Sequence, residues 1–152
     1  MCNVLLAILC LVSTDVNPAL DGKSLAGWEG LPNHWKAADG AIIGSHDGSL
    51  KSNTFLCTQK RYRDFELSVQ VKLKNGVGNS GIQIRSEVLD KEKWSVKGPQ
   101  VDIADKYWGS LYGEQFGGMM KAANADLVKK VLKDGEFNNY SIKAVGSTSP
   151  SS

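Results

Sequence analysis

Two short stretches carry the side chains best suited to chemistry. In Ile82-Gln83-Ile84-Arg85-Ser86-Glu87 the apolar residues fall at 82 and 84, while Gln83, Arg85 and Glu87 occupy the positions between. In Gln100-Val101-Asp102-Ile103, Val101 and Ile103 alternate with Gln100 and Asp102. Successive side chains of a strand point to opposite faces, so apolar residues turned to a core leave Gln83, Arg85 and Glu87 on one outward face and Gln100 with Asp102 on another. Side by side in one sheet, the two strands make a surface of amides, carboxylates and a guanidinium, which Glu66, Ser68 and Gln70 extend. Tyr107, Trp108, Tyr112 and Glu114 follow closely in the chain. Such a surface suits a sugar, because amides and carboxylates match hydroxyls and aromatic planes match the C–H face of a pyranose. It is also what any antiparallel sheet shows to water.

Other chemistries leave weaker marks. His34 and His46 are the two histidines, both in turn-rich surroundings that predict solvent exposure, and no third ligand lies at a metal-binding spacing. No metal site is therefore expected and no cofactor is called for; a Ca²⁺ site of aspartate and backbone oxygens is compatible with a β-rich chain but has no signature here. No Gly-x-Ser-x-Gly elbow occurs. The run from Lys74 to Gly81 is glycine-rich but lacks a GKS or GKT ending and a following helix, so it reads as a hairpin loop and not a phosphate cradle.

The elements that must position these residues read as strands. Phe65, Leu67, Val69, Val71 and Leu73 alternate with polar residues, the period of a half-buried strand. Trp35 to Gly44 reads as a hairpin about Asp39-Gly40. Leu127 to Lys133 and Phe137 to Val145 flank Asp134-Gly135 as a further hairpin, and the less periodic Phe116 to Asp126 holds a short helix or an ordered loop. Trp28 and Trp35 read as structural and Trp94 as a loop residue. Many short strands joined by turns predict an all-β sandwich of antiparallel sheets.

The bulk numbers agree with one globular domain. The chain has 152 residues, 41% hydrophobic and 22% charged, with a net charge of +2 that offers nothing to nucleic acid. Val4 to Val12 is an unbroken apolar run, too short to span a membrane but of the length of a signal-peptide core. Residues 1–17 are accordingly expected to be a leader of an exported protein, periplasmic or extracellular. Residues 18–146 form the domain and the serine-rich 147–152 a disordered tail. Cys2 and Cys10 then fall in the leader, and Cys57 alone makes no internal disulfide.

Seven blocks in order carry a resemblance. Leu20 to Trp28, Trp35 to Gly44, Phe55 to Thr58, Asp64 to Leu67, Gly78 to Ile82, Gln100 to Ile103 and Tyr107 to Tyr112 together resemble the 3-keto-disaccharide hydrolase family. The resemblance implies a concanavalin-A-like jelly-roll sandwich, incomplete at its C-terminal end, because members continue for several strands more. Gly113 to Gly118 departs from the family's acidic and arginine-rich stretch. The implied ligand is an oligosaccharide or oxidised glycoside. A ketone at C3 acidifies the C2 proton, so a base removes it, the C1 substituent leaves, and water adds. Residue type and shared face make Asp102 the base, with Glu87 second. Arg85 and Gln100 are candidates to steady the enolate, Tyr107 or Glu114 to donate the proton, and Gln83, Trp108 and Tyr112 to bind sugar. A retaining glycosidase pair, a lectin-like binding module and an inactive fragment are the alternatives.

Overall fold

In the computed structural model the described residues are 6–9, through their backbone, and 21–146. In chain order they form β1 (Leu6–Leu9), β2 (Trp28–Glu29), β3 (Trp35–Ala38), β4 (Ala41–Gly44), β5 (Cys57–Thr58), β6 (Phe65–Leu73), β7 (Asn79–Gln83), β8 (Glu87–Asp90), β9 (Ser95–Ala104), β10 (Leu111–Glu114), β11 (Gly118–Lys121), α1 (Ala125–Val131) and β12 (Asn138–Ala144). The fold is all-β: one sheet runs β12-β6-β1-β4-β3, a second runs β11-β10-β9-β7 with β8 also on β9, and β2 pairs β5. All the pairings are antiparallel.

The alternation read in Phe65–Leu73 decides how the sheets meet. Val69, Val71 and Leu73 are buried and form one cluster with Ile103 and Trp108, flanked by Leu67, Ile82 and Tyr140. The polar set of β6, including Glu66, Ser68 and Gln70, lies on the outer side of the first sheet and does not extend the second sheet's polar face. Asp39 and Gly40 both have positive φ (54° and 73°) between the paired Ala38 and Ala41, the two-residue turn expected there.

Two stretches differ from expectation. Ile82 to Glu87 is not one strand: β7 ends at Gln83, Arg85 adopts φ 49°, and the chain restarts as β8. The stretch read as a strand from Leu127 to Lys133 is helical as far as Val131, because the Asn124 side chain accepts from Leu127 N–H and Val128 with the C-cap Leu132 packs toward the core. Within the stretch read as a leader, Leu6–Leu9 pairs with β4 on one side and β6 on the other. The rest of that stretch and the tail at 147–152 lie outside the described residues. No described helix is long and apolar enough to cross a membrane.

Candidate functional site

The pairing register builds the polar face. Gln100 lies opposite Gln83 on β7 and opposite Tyr112 on β10, Asp102 lies opposite Gly81, and Glu114 lies opposite Gly98. Directly opposed residues share a face, and Ile103 points into the core, so Gln83, Gln100, Asp102, Tyr112 and Glu114 stand together on the other side of this sheet. A row of hydrogen bonds runs along it. The Ser86 hydroxyl donates to Gln83 Oε1 (2.7 Å), Gln83 Nε2 to Gln100 Oε1 (2.9 Å), and Gln100 Nε2 to Asp102 Oδ1 (2.7 Å). Gly81 permits this row: a Cβ there would fall 2.4 Å from the Gln100 side chain.

The face is not open to water as an ordinary outer face would be. Gln100 and Asp102 are 7% and 6% exposed. Burial pushes the Asp102 carboxyl above the usual aspartate range, and the hydrogen bond from Gln100 pulls it part of the way back. The backbone beneath Asp102 is fixed from the core side: Tyr140 donates its hydroxyl to the Asp102 carbonyl (2.9 Å) and accepts from Gly109 N–H (3.0 Å). Burial pushes that phenol up to about 12, so it stays a donor.

A cleft of about 380 Å³ opens beside β7, the last strand of this sheet. Gln100, Asn79, Ser80 and Gly81 line one side, and His34, Trp35, Gly44, Ser45 and His46 come from the far sheet's β3–β4 hairpin. The third wall is Leu50 to Phe55, strapped over the polar face by Asn53 Nδ2, which donates to both Glu114 carboxylate oxygens (3.2 and 3.4 Å). Trp35 stacks on Gly44, where a Cβ would meet its ring at 2.5 Å. Trp35 Nε1 is the one buried side-chain polar atom without a partner among the described residues.

Gln83, Gln100 and Asp102 thus lie on one face, as the alternation predicts, and Tyr112 and Glu114 join them from β10. Four others do not. The positive φ at Arg85 turns its guanidinium to Asp64 (2.9 Å) and to the Gly146 carbonyl, away from the face. Glu87 pairs with Lys97, five residues from Asp102 along β9 and hence about 16 Å away. That separation is too wide for a glycosidase carboxylate pair, which needs about 5 to 9 Å. Trp108 is 5% exposed inside the core, tilted against Tyr140, so its ring offers nothing to a ligand. Tyr107 is exposed in the turn after β9. The histidines are not the freely exposed residues expected: both are half-buried at the cleft. Sequence reading missed them, Trp35 and the 50–55 strap because a loop and a second sheet bring them in. Among the described residues no cluster of His, Cys, Asp and Glu could hold a metal ion.

Compared with known families, residues 15–149 match the 3-keto-alpha-glucoside-1,2-lyase-like domain. No curated protein matches the chain.

Proposed function

The chain belongs to the 3-keto-alpha-glucoside-1,2-lyase-like domain family, a carbohydrate-related family, and from that premise we propose that it breaks the glycosidic bond of 3-keto-glycosides by elimination across C1 and C2. The supporting observation is the buried Asp102 carboxylate, tied through Gln100 to a cleft lined by amides, hydroxyls, imidazoles and an indole. Such a lining matches the hydroxyls and the C–H face of a sugar. Asp102 takes the C2 proton, which the C3 ketone acidifies; its raised pKa makes it a stronger base than an exposed aspartate. The C–H electron pair becomes the C1–C2 double bond, the C3 oxygen takes up charge, and the C1–O bond breaks. Water added back across the double bond completes hydrolysis. Gln83, Tyr112 and Glu114 share the sheet face with Asp102 next to the cleft, while Arg85 and Glu87 stand outside the machinery.

The test is turnover of a 3-keto-disaccharide by the full chain in D₂O. Deuterium entering C2 and release of the second sugar are expected, and Asp102→Asn should lower kcat/KM by about 100- to 10,000-fold. Saturable sugar binding without C2 exchange would make the cleft a glycan-binding site instead. Undiminished turnover by Asp102→Asn would remove Asp102 from the chemistry.

A further inference from the structure

Two imidazoles border the cleft with no part in proton removal at C2, and the backbone holds them in opposite senses. His34 and Ser45 form the pair beyond Trp35 and Gly44 at the end of the β3–β4 ladder. Ser45 N–H donates to the His34 carbonyl (2.8 Å), and His34 Nδ1 lies 3.3 Å from the Ser45 carbonyl oxygen. A carbonyl only accepts, so Nδ1 carries the hydrogen and Nε2 is the nitrogen that can gain or lose a proton. His46 is held the other way, because Gly48 N–H donates to its Nδ1 at 3.0 Å. Its Nε2 therefore carries the hydrogen, and a second proton at Nδ1 would set two N–H groups against each other. The His34 contact with the Ser45 carbonyl leaves its Nε2 free toward the cleft, whereas the His46 contact with Gly48 N–H uses Nδ1 as the acceptor and leaves Nε2–H as the donor. The charged neighbours are Asp47 and Lys51. The Asp47 carboxyl is held below the usual range chiefly by hydrogen bonds from Ser49, and to a small extent by His34. Lys51 lines the same cleft.

We infer that His34 is the acid and base for the leaving oxygen and the incoming water, and that His46 is a neutral N–H donor to the oxygen on which charge develops. This rests on the elimination chemistry and supplies the acid that it needs. Imidazolium Nε2–H gives its proton to the glycosidic oxygen as the C1–O bond breaks. The neutral ring then takes a proton from water as hydroxide adds to C1, and Asp102 returns its proton to C2. His34 ends as imidazolium and Asp102 as carboxylate, the forms in which they began. A neutral imidazole stabilises an enolate oxygen without having to release a full proton.

The experiment compares two substrates with the full chain: a 3-keto-disaccharide, whose sugar leaving group needs a proton, and a p-nitrophenyl 3-keto-glucoside, whose phenolate leaves without one. His34→Asn keeps an N–H for the Ser45 carbonyl but cannot transfer a proton. It should lower kcat/KM on the disaccharide about 100-fold or more and leave the nitrophenyl substrate within about fivefold. Retained nitrophenyl turnover also shows that the variant is folded. Should His34→Asn fail to fold, the wild-type pH profiles decide: the disaccharide should show an alkaline limb that the nitrophenyl substrate lacks. Equal losses on both substrates, undiminished disaccharide turnover, or matching pH profiles would each overturn the role of His34 while leaving the elimination standing. A wild-type chain that turns over neither substrate overturns both.

Discussion

At the scale of single residues, Asp102 sets activity against stability. Its carboxyl is raised by burial, so the folded chain holds the proton to a higher pH than the unfolded chain does. Stability therefore falls as pH rises from the ordinary aspartate value, near 4, through the folded value, and above that the buried charge is a standing cost. Asparagine removes the charge and still accepts the hydrogen bond from Gln100. Asp102→Asn should accordingly melt at or above the wild-type temperature at pH 7, with the difference shrinking in acid, even as its turnover falls. A clear drop in Tm at pH 7 would show the charge to be compensated by groups beyond Gln100. This residue was legible in the sequence because β9 runs as one strand through Gln100–Ile103, so Val101 and Ile103 fix where Gln100 and Asp102 point. Arg85 was not, because one residue at φ 49° ends the alternation on which the inference depended. Arginine carries no mark that foretells a left-handed backbone, as glycine would.

Between elements, what matters is the segment from Ser45 to Leu56, which leaves the β3–β4 hairpin of one sheet and crosses to the polar face of the other. It is anchored by Asn53 on Glu114, by Phe55 N–H on the Trp94 carbonyl (3.0 Å) and by Thr54 Oγ1 on the Lys93 carbonyl (2.8 Å). Asn53→Ala removes only the contact nearest the cleft. A hydrogen bond to a carboxylate is worth roughly 1.5 to 3 kcal/mol, less where water reaches it as here, so about 1 kcal/mol is the fair expectation. KM for the glycoside should rise about fivefold with kcat within about twofold, since the strap shapes the cleft and takes no part in proton transfer. A fall in kcat at constant KM would assign the strap to the chemical step instead. None of this was visible beforehand: the sequence of the strap has no periodicity, and its partners are 61 and 39 residues away. Helix α1 escaped for a related reason: its seven residues turn one side chain, Val128, toward the core, too few to show a helical period.

At the scale of the whole sandwich, the larger sheet is laid out around its first strand. Leu6–Leu9 makes three register pairs with β4 and four with β6, in the middle of the five-stranded sheet. Its partners include the most buried residues of the fold: Ile42 at 2%, Val71 at 0% and Leu73 at 1% exposure. An unbroken apolar run fits a signal-peptide core, but it equally fits a strand covered on both faces, and composition alone cannot separate the two. The topology separates them by consequence. Without residues 1–17 the sheet falls into two pairs, β12-β6 and β4-β3, each with a newly bare edge. Two-stranded pieces are marginal in water, and open apolar edges recruit other chains. Residues 18–152 alone should therefore show a weakened β spectrum and elute as aggregate. The full chain should elute as one species and melt cooperatively. If residues 18–152 instead fold with the wild-type Tm, the sheet does not need Leu6–Leu9 and the segment is free to serve as a leader. If they aggregate, a chain processed after residue 17 must find another strand for the same gap, and activity measurements must be made on the full chain.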